Sequence, residues 1–144
     1  MALREACWQD AAEVSALLTE LGYPTTAEIA AKRLKDSDER VILVEDKGEV
    51  VGLATVATAR MLTHDQPIAR LTALVVKGTR RRGGFASQLV DGALQIAAQT
   101  RCEGMEVTSG IRPERAAAHA FYEARGFERT SYRYWRKVER TSAR

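Results

Sequence analysis

Leu74-Val75-Val76-Lys77-Gly78-Thr79-Arg80-Arg81-Arg82-Gly83-Gly84-Phe85-Ala86 joins an apolar triplet to a glycine-bearing loop and then to an amphipathic stretch. The triplet closes the run Ile68 to Val76 and suits a strand at the centre of a sheet. Beyond the loop, Phe85, Leu89, Val90, Ala93, Leu94 and Ala97 share one stripe of a helix. Strand, turn and helix in that order form half of a crossover unit, and Met105-Glu106-Val107-Thr108 is the strand that completes it. Parallel pairing of the two strands is expected.

Toward the N-terminus the pattern changes. Val41-Ile42-Leu43-Val44 is a strand, Lys47-Gly48 a turn, and Val50 to Ala59 the antiparallel return. Leu3 to Cys7 is a short first strand. Asp10-Ala11-Ala12-Glu13 has the form of a capping box, with the Asp10 carboxylate accepting helix amides, before Val14, Leu17, Leu18 and Leu21 at helical spacing and a stop at Gly22. Thr25-Thr26-Ala27-Glu28 repeats that signal ahead of a helix expected to bury Ile29 and Leu34, and Asp36-Ser37-Asp38-Glu39 breaks it. Toward the C-terminus, Pro113 opens a helix running to Arg125 and stopping at Gly126. Phe127 onward, with Tyr132, Tyr134 and Trp135, has the alternation of one or more terminal strands. The fold class is α/β (α+β): a mixed, mostly antiparallel central sheet with helices on both faces.

The chain has 144 residues, 45% hydrophobic and 28% charged, with 22 basic and 19 acidic residues (22 − 19 = +3). That composition is globular and fits a single domain over residues 1–144. No apolar run approaches the roughly 18 residues of a spanning helix, so no membrane partner is expected. Met1 to Glu5 lacks the apolar core of a secretory signal, which points to the cytoplasm. Cys7 and Cys102 make neither a disulfide framework nor a metal quartet, and no metal is expected. Both cysteines read as buried small apolar residues or idle thiols rather than nucleophiles, and Trp8 and Trp135 are assigned to core packing. The loop arginines lack the interleaved aromatics that stack bases, so a nucleic-acid partner is not expected.

Arg81, Arg82, Gly83 and Gly84 stand where a helix starts, and the first amides of a helix have no internal partners. The loop is an anion cradle of the kind that holds a pyrophosphate; a turn that needs glycine, with solvated arginines, is the alternative. It is not a nucleotide-triphosphate loop, because Gly84 and Phe85 occupy the Lys and Ser/Thr positions after Gly78 and Gly83. Nor does any register give the three glycines of a dinucleotide fingerprint.

Arg81, Gly84 and Ala86 do match Gln/Arg-x-x-Gly-x-Gly/Ala, the acyl-CoA loop of the GNAT N-acetyltransferase superfamily. Phe121-Tyr122-Glu123-Ala124-Arg125-Gly126-Phe127 resembles that family's Phe-Tyr-x-x-x-Gly-Phe landmark, and the order of elements is also the family's. The wording Ala118-His119-Ala120-Phe121-Tyr122 is similar to aminoalkylphosphonate acetyltransferases, and aminoglycoside acetyltransferases share the plan. The resemblance implies acetyl-CoA as co-substrate, its arm on the backbone of Leu74, Val75 and Val76, and its pyrophosphate on Arg81, Arg82, Gly83, Gly84, Phe85, Ala86 and Ser87. An amide near Val75 would face the thioester oxygen. It implies direct attack by an amine, with Tyr122 as the acid that protonates the leaving thiolate.

Many relatives carry a glutamate base shortly before the apolar triplet, but Leu71-Thr72-Ala73 holds no carboxylate. His119, one turn from Tyr122, is the candidate in its place, with His64 and Glu106 behind it. A small-molecule amine is the expected acceptor. A protein or peptide amine and a non-catalytic acyl-CoA-binding module are the alternatives. A homodimer is expected by analogy.

Overall fold

A computed structural model of the chain describes residues 2–140. They form two compact units, one ending at Val107 and one beginning at Thr108. The first holds β1 (Ala2–Glu5), α1 (Ala11–Leu21), α2 (Ala27–Asp36), β2 (Arg40–Asp46), β3 (Glu49–Ala59), β4 (Ile68–Val76), α3 (Phe85–Gln99) and β5 (Gly104–Val107). The second holds α4 (Ala116–Ala124), entered through a 3-10 turn at Pro113–Arg115.

The five strands lie in sequence order, antiparallel from β1 to β4, with β5 parallel to β4. Lys47 and Gly48 both have positive φ, 54° and 80°, as a two-residue hairpin turn of type I′ requires. Side chains alternate across a strand, and the two faces meet different helices. Leu43, Leu53 and Val75 pack with Val14 and Leu17 of α1 and Ala30 of α2. On the other face, Ile42 and Val44 meet α3, which presses so close that a Cβ on Gly92 would stand 3.1 Å from Ile42. A mixed sheet covered on both faces is therefore what this sequence builds.

Three local expectations fail. Ile29 is exposed, and Ala30 is the residue α2 buries, with Leu34 half-buried. The cap of α2 is Thr26, whose Oγ1 accepts from Ile29 N, one residue later than the box at Thr25 predicts. On α3, Leu94 is exposed and Ile96 takes its place inside.

Asp10 also has a different task. Its carboxylate accepts Cys7 N–H at 2.9 Å and the forked guanidinium of Arg4 at 2.8 and 2.9 Å, rather than the amides of α1. It closes a cap on the 3-10 turn Trp8–Asp10 and ties β1 to that turn. The bonds from Arg4 hold the Asp10 carboxyl far below the usual carboxylate range, although its burial pushes the other way. A depressed folded pKa means stability present above the unfolded value near 3.9 and lost as pH falls toward the folded one. Asp10→Asn should cost about 2 kcal/mol at pH 7, and the gap in Tm between variant and wild type should begin to narrow as pH falls through about 4 and go on narrowing toward the lower folded value. A gap independent of pH would show that the carboxylate charge contributes nothing.

In the second unit, Gly126 at φ 90° ends α4, with Phe127 N donating to Tyr122 O at 3.0 Å. No strand forms after Gly126 among the described residues, contrary to the aromatic alternation. Residues 128–140 are exposed, including Tyr132, Tyr134 and Trp135. Alternation gives a segment the propensity for a strand, but a strand exists only with a partner edge, and no ladder pairs this one. Trp8 is likewise exposed, its ring under the Lys35 ammonium at 5.2 Å, so neither tryptophan is core. Among the described residues no helix is long and apolar enough to cross a membrane.

Candidate active site

β4 changes partners half-way along. From Ile68 to Leu71 it lies between β3 and β5, and the parallel ladder stops at Leu71↔Val107. On the other side Val56 faces Leu71 but Thr55 faces Ala73, so Thr72 is the extra residue of a bulge. Bulges re-aim a side chain and end pairing, and this one sits where β5 drops away. From Thr72 to Val76 the strand is paired on the β3 side alone among the described residues. Lys77 N donates to Val51 O at 2.8 Å, and antiparallel bonding alternates, so Val75 also faces β3 while Leu74 and Val76 turn their N–H and C=O groups to the open edge. Val75 thus spends its backbone on the sheet and is buried; Leu74 and Val76 carry the free groups.

The loop after β4 sorts its cations. Arg80 is held by Asp46 at 2.5 Å and Glu49 at 3.0 Å, and Gly78 N donates to Glu20 at 2.9 Å. Arg81 and Arg82 are exposed and form no ion pair among the described residues. Arg82 takes φ 68° and Gly84 φ 80°, and a Cβ on Gly83 would stand 2.6 Å from the Phe85 ring. The turn is therefore tight, and no side chain caps the N-terminus of α3. The amides of Phe85, Ala86 and Ser87 have no partner within the helix. One turn into α3, the buried Gln88 Oε1 also lacks a partner.

A cavity of about 420 Å3 lies among α1, α2 and the sheet. Tyr23, Arg33, Ser37, Glu39, Thr55 and Thr72 give it its polar lining. Thr72 Oγ1 donates to Glu39 Oε1 at 2.6 Å and stands 2.5 Å from Thr55 Oγ1. Thr72 has one proton, so Thr55 must donate to Thr72, and the two hydroxyls form a directed chain ending on the carboxylate. Ser37 Oγ accepts Glu39 N at 3.0 Å and fixes the backbone beneath it. Sequence alone marks Glu39 only as part of a helix-breaking acidic run. Nothing there says that it meets Thr72, 33 residues away.

In the second unit, Tyr122 is half-buried, edge-on to Phe121 and Phe127 with ring centres 5.4 and 5.7 Å apart. Burial pushes its phenol pKa up, and the Arg115 charge opposes this more weakly. His119 Nε2 is 2.7 Å from Gly110 O, which only accepts, so that nitrogen holds the proton and Nδ1 is the free acceptor. Glu106 is paired with Arg70, and His64 is exposed beside Thr63; neither lines the cavity.

Residues 3–127, most of the chain, match the acetyltransferase (GNAT) family. The chain belongs to that family. It is 31% identical over 137 residues to an aminoalkylphosphonate N-acetyltransferase of Salmonella typhimurium, covering 92% of this chain and 88% of the relative. A ribosomal-protein-alanine N-acetyltransferase from Brucella melitensis shares the fold at TM-score 0.82 and 16% identity, covering 96% of this chain and all of that one. An aminoglycoside N-acetyltransferase in complex with CoA does so at TM-score 0.80 and 17% identity, with 95% and 93% coverage. As a GNAT protein the chain is an acyltransferase, and enzymes of this family use acetyl-CoA or CoA. GNAT structures similar to this one come from proteins named for small-molecule and for protein acceptors.

Proposed function

We propose that the protein is a single catalytic domain that moves an acetyl group from acetyl-CoA to a small-molecule amine by direct attack. The observation that carries this is the one-sided stretch Thr72 to Val76, followed at once by an uncapped helix start. An open strand edge needs donors and acceptors spaced like a backbone, and a pantetheine arm with its two amides has them. Leu74 and Val76 would hold that arm. Val75 keeps its place in the sheet and supports them. The amides of Phe85, Ala86 and Ser87, the tight turn at Gly83 and Gly84, and the charges of Arg81 and Arg82 would hold the pyrophosphate. Bound acetyl-CoA supplies the thioester. Tyr122, kept protonated by its buried setting, would donate to the leaving thiolate, with His119 as a second candidate for proton transfer.

The acceptor is a small molecule because the cavity, about 420 Å3, fits a compact ligand. The relative named for aminoalkylphosphonates supports the same choice. A cytoplasmic location and a homodimer complete the proposal, the latter supported by the exposed Tyr132, Tyr134, Trp135 and Val138. Acetyl-CoA at about 100 times its Kd should add roughly 2.7 kcal/mol of stability, and desulfo-CoA nearly as much. If neither moves Tm, the donor assignment falls; if both do and no amine releases thiol, the protein is a binding module instead.

A further inference from the structure

Taking the proposed acetyl transfer as the reaction, we infer that the cavity beneath α1 and α2 takes a zwitterionic amine, its ammonium on Glu39 and its anionic group on Arg33. Glu39 and Arg33 are the two charged residues of the lining, of opposite sign. They form no ion pair with each other or with any other described residue. Two opposite charges left apart in one small cavity match a ligand carrying both charges at a separation of a few bonds. A phosphonate or a carboxylate has the forked oxygens that a guanidinium engages.

Glu39 stands where the strand changes partners. Thr72, the bulged residue that ends the β5 ladder, donates to its carboxylate, and that strand's open edge begins at the same residue. One Glu39 oxygen is fixed by the hydroxyl chain from Thr55, and the other is free to meet an ammonium. Carboxylate chemistry that the strand itself lacks thus enters the site from the junction of α2 and β2.

The protons balance as follows. The ammonium gives one proton to Glu39, and its nitrogen forms the C–N bond with the thioester carbonyl carbon. The C–S bond breaks, and sulfur leaves with the electron pair and takes the phenol proton of Tyr122. The second nitrogen proton goes to solvent, from which the phenolate is restored, and Glu39 returns its own proton to solvent. One proton is released per turnover.

The test compares kcat/KM for 2-aminoethylphosphonate, β-alanine and n-propylamine in wild type, Arg33→Ala and Glu39→Gln. Wild type should prefer the two zwitterions over propylamine by tenfold or more, and their order tells phosphonate from carboxylate. Arg33→Ala should lower that ratio about tenfold, chiefly through KM, because one charge-assisted contact is lost. Lys32→Ala, the neighbouring α2 cation outside this cavity, should leave the ratio as it is. Glu39→Gln should lower kcat/KM for all three amines about 100-fold, while the rise in Tm produced by acetyl-CoA stays at the wild-type value. A wild-type ratio near one, or Glu39→Gln at full activity, overturns the inference while leaving acetyl transfer standing. Loss of acetyl-CoA binding by wild type would instead remove the function on which it rests.

Discussion

Tyr122→Phe should reduce kcat by about 100-fold and leave the Kd for acetyl-CoA unchanged, since a positioned general acid contributes on that scale. The substitution removes one oxygen and keeps the ring, so the edge-on contacts with Phe121 and Phe127 persist. What disappears is a phenol whose pKa lies above its usual value because it is buried. The sign matters: a raised pKa leaves the acid form intact through neutral pH and moves its alkaline loss of activity upward. Any alkaline fall of kcat belonging to this group should therefore lie above the ordinary tyrosine range and be missing from the variant. Full activity in Tyr122→Phe would transfer the acid role elsewhere, and His119, with Nδ1 free, is the next residue to replace.

Gly52→Val should destabilise the protein by about 3 kcal/mol and lower Tm by roughly 9 °C. Gly52 is buried in β3, and a Cβ there would stand 2.9 Å from Val75 O, 3.1 Å from Leu89 and 3.2 Å from Val44. The Leu89 and Val44 side chains, both on the α3 face, can shift, but the Val75 carbonyl belongs to the ladder and has nowhere to go. The strand displaced is the one whose open edge is proposed to hold the donor, so stabilisation by acetyl-CoA should shrink as well. Gly104→Ala is the control: nothing lies within 4 Å of its added Cβ, and Tm should hardly move. Equal Tm values for Gly52→Val and wild type would mean that β3 and β4 have slack the packing does not show.

The hairpin, the parallel pairing of β4 with β5 and the turn into α3 were legible in the sequence because they rest on local signals. Ile68 to Val76 is a strand over its predicted span, and Lys47-Gly48 turns the hairpin as its composition requires. What failed depended on partners that a local motif does not name, whether near in sequence or far. Asp10 looks like the cap of α1 until Arg4 and the Cys7 amide claim its oxygens. The aromatic tail has strand composition and no neighbouring edge. In the site, the loop motif pointed to Arg81 through Ser87, but not to the bulge at Thr72 or to Glu39. A missing strand carboxylate is visible in one dimension; its replacement from another element is visible only in three.

The N-terminal margin of the sheet has a consequence for behaviour at high concentration. β1 is a four-residue border strand, and its charges are tied sideways, Arg4 to Glu45 and Glu5 to Arg40 on β2. A second molecule trying to add a strand there would meet a short ribbon lined with bound charge, a poor template for aggregation. Salt screens exposed pairs of this kind, so resistance to self-association along this border should weaken as ionic strength rises.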